Sequence, residues 1–200
     1  MSLGEVSLVI SMAGAVPYCV QVVRGSVRPE RMTWFVWTLI LALALASYYS
    51  SGASDSVWFL VGDFIVTAAV FLLSLWRGQG GWTRLDGVCS AVAGVSLLVW
   101  QLSAVSWFGL CGVLVADAVA LVPTLVKSLH DPASESVSTY AFSSVAALCG
   151  FVAVGEWNMV LLFYPAYLFL ANFTTAMVVW VGQYHLNRTA ESVNNQNGPV

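Results

Sequence analysis

Three polar side chains sit where the surrounding sequence offers them no water. Asp63 lies within Leu60-Val61-Gly62-Asp63-Phe64, and Asn172 within Leu170-Ala171-Asn172-Phe173. Asp117 stands in a third apolar run, six residues ahead of Pro123. A carboxylate turned toward lipid is costly, so each of these groups is expected to face the interior of a helical bundle. There a carboxylate can bind a cationic solute or carry a proton, which makes Asp63 and Asp117 candidates for proton or cation coupling. Other chemistries have little to stand on. His130 and His185 lack metal-spaced partners, and Cys19, Cys89, Cys111 and Cys149 lie in apolar runs without ligand spacing. They read as small core residues, so no metal is expected. No nucleophile elbow, phosphate loop or dinucleotide fingerprint is present, so neither an enzyme nor a cofactor is expected.

The elements that must position these residues follow from composition. The chain of 200 residues is 59% hydrophobic and 8% charged, with nine tryptophans. A soluble domain carries roughly 25% charged residues. The net charge of −3 and the pI near 5.1 offer no basic surface for nucleic acid. Apolar runs cover residues 3–24, 33–49, 56–76, 85–101, 105–128, 137–157 and 160–184. Most approach the ~20 residues needed to cross a bilayer as a helix. The first run is preceded by no Lys or Arg and carries Glu5, so it is expected to be a retained helix rather than a signal peptide.

Charge placement orients the runs. With the N-terminus outside, Arg24, Arg28, Arg31, Arg77, Arg84, Lys127 and Arg188 all fall on the inner side, while Glu5, Asp55 and Glu156 fall outside. That satisfies the positive-inside rule. Trp34, Trp37, Trp76 and Trp180 mark the inner interface, and Trp58, Trp100, Trp107 and Trp157 the outer one. The expectation is an all-α integral membrane protein with seven spans, N-out and C-in. A plasma (inner) membrane location and multiple passes through the lipid bilayer go with it.

The chain also repeats itself. Residues 16–34 and 122–140 align without a gap at an offset of 106, with four of nineteen positions identical, including Pro17 with Pro123 and Thr33 with Thr139. Asp63 and Asn172 correspond at an offset of 109, as do Tyr48 and Trp157, each fifteen residues earlier. Seven runs with this repeat divide as three, one and three. Residues 3–76 form one triple-helix bundle, 85–101 a linker helix and 105–184 a second bundle parallel to the first. Residues 187–200 are polar and non-periodic, which predicts a disordered cytoplasmic tail. Pro17 and Pro123 weaken their helices at matching depth and read as hinges. Ion pairs between Arg24, Arg28 or Arg31 and Asp131 or Glu135 could help close the inner side, although solvated loop charges explain them more simply.

This layout resembles the PQ-loop superfamily, which includes the SWEET sugar transporters. The likeness rests on Pro17 and Pro123, on the loops 24–29 and 131–136, and on the 3+1+3 plan. The glutamine expected after each proline is replaced by Tyr18 and Thr124. The resemblance implies a substrate pocket lined by Asp63, Asn172, Tyr48 and Trp157, and it leaves a homo-oligomer open. The expected function is transport of a small polar solute, sugar-like or similar, by alternating access, facilitative or proton-coupled. The alternatives are a nicotinamide riboside or cationic amino-acid carrier, and a non-transporting membrane receptor or scaffold.

Overall fold

The computed structural model describes residues 1–50, 57–80, 83–102, 106–154 and 159–196, and these are almost entirely helical. Seven α-helices follow in order: α1 (Leu3–Arg24), α2 (Arg31–Ser50), α3 (Val57–Arg77), α4 (Arg84–Leu102), α5 (Ser106–His130), α6 (Val137–Ala153) and α7 (Met159–Gln196). A single turn of 3-10 helix (Pro132–Ser134) separates α5 from α6. Each apolar run of the sequence becomes one helix. Four segments, Leu3–Arg24, Trp58–Arg77, Cys111–His130 and Leu162–Ser192, are long and apolar enough to cross a membrane, and Arg31–Leu45 and Val137–Ala153 are shorter apolar helices. Large apolar side chains point outward without cover, among them Leu72, Trp76, Val88, Val95 and Leu98. Such a surface suits hydrocarbon and not water. The chain is a helical protein of membrane character.

Local sequence fixes where helices begin and end. Ser2 and Glu5 form a reciprocal capping box at the start of α1. Thr83 and Asp86 do the same for α4, through bonds of 3.0 and 3.1 Å. α1 ends where Gly25 takes a left-handed conformation (φ 77°) and donates its N–H back to Gln21 and Val22. That geometry strains any residue with a Cβ, so glycine is the natural stop. At the other end of the chain, α7 does not stop near residue 186. It runs to Gln196, where the sequence reading places an irregular tail from 187. No Gly or Pro interrupts residues 187–197, and hydroxyls of Thr189 and Ser192 bond back to their own helix, so the ladder continues.

Packing follows a crossed pattern. α3 lies against both α1 and α2, and α7 against both α5 and α6. α1 also packs on α6, and α2 on α5, whereas α4 lies chiefly along α5. The α1–α6 crossing is tight because Gly14 has no side chain: a Cβ there would stand 2.5 Å from that of Phe142. Ser7 strengthens the same contact by donating to the Ala146 carbonyl at 2.8 Å. Small residues and short polar bonds are how helices associate when burial of apolar surface offers no driving force.

The loops after α1, α3 and α5 gather at one end of the bundle. Arg31 clamps the end of α3, donating to the carbonyls of Ser74, Gly78 and Gly80 at 2.9, 2.6 and 2.7 Å. The Arg28 amide donates to Ser134 at 2.9 Å, and Gln183 of α7 donates to the carbonyls of Pro132 and Glu135. Glu135 is buried and forms an ion pair with Lys127, while accepting the Tyr18 hydroxyl at 3.0 Å. None of the described ion pairs joins Arg24, Arg28 or Arg31 to Asp131 or Glu135, the pairing that ranks below solvated loop charges in the sequence reading. Lys127, one helical turn before the loop, reaches Glu135 first, and Arg31 is taken up by helix-end carbonyls.

Candidate functional site

Between α2, α3, α5, α6 and α7 lies a cavity of about 50 Å³. That is room for a few water molecules. Its wall includes all three polar residues singled out from the apolar runs: Asp63 on α3, Asp117 on α5 and Asn172 on α7. Helix geometry explains the convergence. Each of these helices must turn the strongly polar residue within its apolar stretch away from the outer face, and those interior faces meet at the cavity.

The three are held differently. Asp117 is buried, and its Oδ2 accepts the Tyr167 hydroxyl at 2.8 Å. Asp63 is half-buried and receives one long bond, 3.4 Å from the Ser11 hydroxyl. Asn172 donates its amide to the Leu168 carbonyl of its own helix at 2.9 Å. None of the seven Lys and Arg residues lines the cavity. Among the described residues no cluster of His, Cys, Asp or Glu has the makings of a metal site.

Aromatic and hydroxyl groups complete the wall. Trp34 and Trp37 come from α2, Thr139 and Tyr140 from α6, and Tyr164 from α7. The two indoles meet edge to face, with ring centroids 5.3 Å apart. This corrects the reading of Trp34 as an interfacial anchor, because it is only 3% exposed. The sequence held a usable signal: Thr33-Trp34 and Thr139-Tyr140 are repeat partners, at corresponding positions on the two helices that line opposite sides. Interfacial depth hid it. The side chain of Tyr48 and all of Trp157, the other two expected pocket residues, lie outside the described residues.

Below the cavity, cross-helix bonds close the end where the loops gather. The Thr33 hydroxyl donates to the Ala120 carbonyl at 2.7 Å and accepts from Thr124 at 2.9 Å. The residue after each repeated proline therefore makes a polar contact across the bundle: Tyr18 to Glu135, and Thr124 to Thr33. Pro17 and Pro123 lie within helices that continue through them. An adjoining acid, Glu30, is buried in the first of these loops, and its Oε2 accepts the Thr33 amide at 2.9 Å. Burial raises its pKa above the ordinary carboxylate value.

Chemically, the cavity can hold a small polar occupant against two carboxylates, with flat aromatic faces beside it. No protein-family model matches this chain, nor does any curated protein or solved structure.

Proposed function

We propose that the chain is a multi-pass membrane carrier for a small polar solute, built on the 3+1+3 plan with its N-terminus outside and its C-terminus inside. The observation that carries this reading is the meeting of Asp63, Asp117 and Asn172 in one cavity between the helices. Intramembrane ionisable groups are expensive, and a cavity between helices is where a solute pathway would use them.

The crossed packing supports the plan. α1 against α6 and α2 against α5 are equivalent contacts if α1–α3 and α5–α7 are two copies of one unit, and α4 is the odd linker. The gathering of the loops after α1, α3 and α5 at one end agrees with the orientation that charge placement favours. The cavity is smaller than the 300 Å³ or so of ordinary ligand sites, so on this reading it must widen to admit a solute. A solute gains access when the two units separate at one end, and the Tyr18–Glu135 and Thr33–Thr124 contacts must part for the inner end to open.

The reading is tested by reconstituting the purified protein in liposomes and measuring uptake of radiolabelled sugars, amino acids, nucleosides and amines. Uptake by wild type that disappears in Asp63→Asn, with insertion and folding intact, supports a carrier. A protein that moves none of them, and whose melting temperature no solute raises, is not a carrier of this kind.

A further inference from the structure

We infer that the solute is an organic cation: a small molecule with one positively charged nitrogen that seats between Asp63 and Asp117, and with oxygen acceptors a few ångströms away. This rests on the carrier reading above and names its substrate class. Two carboxylates share the cavity with no Lys or Arg on its wall. Lys127 and Arg31, cations at the loop end of the bundle, are already engaged, the first by Glu135 and the second by the carbonyls ending α3. Like charges in a medium of low dielectric constant repel strongly unless a cation or proton stands between them. Asp63 keeps one oxygen without a described partner and the other on a long bond, so it has capacity to spare.

A second observation points to a ligand independently. Thr139 Oγ1 is buried without a hydrogen-bond partner, in a residue that is 2% exposed and lines the same cavity as the carboxylates. The Tyr140 phenol and the Trp34 indole are directed at the buried Tyr18–Glu135 pair instead. Buried polar groups are nearly always satisfied, so an orphaned hydroxyl marks where a bound molecule would supply a partner. The edge-to-face indoles of Trp34 and Trp37 add π faces, which favour a cation over a neutral group of the same shape. Two acids, an orphaned hydroxyl and aromatic rings on one cavity wall fit an amine-bearing molecule with hydroxyl or carboxylate oxygens better than a plain sugar.

The test uses pairs matched in shape and differing in charge: choline with dimethylbutanol, and glucosamine with glucose. Melting temperature of the full-length protein in detergent and uptake into proteoliposomes are read for each member. The expected result is that the cationic member acts at concentrations at least ten-fold below its neutral mate, and that Asp63→Asn/Asp117→Asn erases the preference. Equal action of both members, or preference for the neutral one, overturns the cation assignment and leaves the carrier standing. Uptake and stabilisation by none of the four, where other neutral solutes are carried, overturns it too. No uptake of any solute removes the carrier reading itself. Because the paired comparison is made on wild type, it does not depend on the variants folding.

Discussion

The first three helices and the last three place their polar groups at the same depth but on different elements. In the first unit the acid, Asp63, is on α3 and the hydroxyl, Ser11, on α1, and the two are bonded at 3.4 Å. At the repeat-related positions of the second unit the acid, Asp117, is on α5 and the amide, Asn172, on α7. There the expected partners do not bond. Asp117 turns to Tyr167 at 2.8 Å, and Asn172 to its own backbone. The same exchange recurs toward the loops. One cross-contact is charged, Tyr18 with Glu135 and Lys127, and its counterpart is neutral, Thr124 with Thr33. One acid is thus held loosely and one firmly, one contact by charge and one by hydroxyls. On the proposed carrier reading, the loosely held acid is the one free to meet a solute.

The largest effect is expected at the charged contact. Glu135→Ala strands a Lys127 side chain that is 8% exposed, beside a site that is 0% exposed. Breaking such a pair from one side costs about 3–5 kcal/mol. Thr33→Val on the neutral side should cost only about 1 kcal/mol. Melting curves of the two variants decide it, and comparable losses would show that the contacts are equivalent after all.

Next comes the difference between the acids. Asp63→Asn should weaken solute-dependent stabilisation by about 30-fold or more, the cost of removing one partner from a buried charge pair. Asp117→Asn should weaken it less, because one of its oxygens is occupied by Tyr167. Titration of each variant with the best-bound solute ranks them, and the reverse order sinks the distinction between loose and firm.

The crossings offer a third test. Gly14 and Ala120 are repeat partners, and at Gly14 the space a Cβ would need is taken by Phe142. Gly14→Ala forces Phe142 to move and should cost about 1–3 kcal/mol of stability. A neutral or stabilising outcome in a melting experiment would mean that α1 and α6 have slack. Tyr167→Phe, a milder change, should lower stability by about 1–2 kcal/mol through its lost bond to Asp117. It should also bring the solute response of Asp117→Asn closer to that of Asp63→Asn.

The smallest effect concerns pH. Burial holds the pKa of Glu30 above its value in the unfolded chain. The folded protein therefore binds that proton more tightly, and ionisation of Glu30 is a cost that fades as pH falls through the folded value. Between about pH 8 and about pH 5, which brackets the range above the ordinary carboxylate pKa, wild type should gain stability relative to Glu30→Gln. A constant difference across that range would show that Glu30 is not the group responsible.

Much of this was legible in the residues. Seven apolar runs mark the seven helices to within a few residues at most ends. The cost of burying charge selects Asp63, Asp117 and Asn172 as interior groups before any contact is known. The end of α7 was misjudged because polar composition was taken for irregularity, although residues 187–196 contain no helix breaker. Trp34 was misplaced because an indole near a helix end satisfies interfacial anchoring and pocket lining equally well in a one-dimensional reading.

The sequence by itself determined the solvent, the helices and which polar groups must be hidden, because those follow from transfer energies that act on each residue separately. Only the tertiary structure decided who meets whom: that α1 crosses to α6, that Lys127 rather than an arginine holds Glu135, that Tyr167 holds Asp117, and that two acids and an orphaned hydroxyl line one small space. Those pairings depend on the rotation and crossing of whole helices, which are set by small residues such as Gly14 and by the sum of many weak contacts. No local pattern in the chain encodes them.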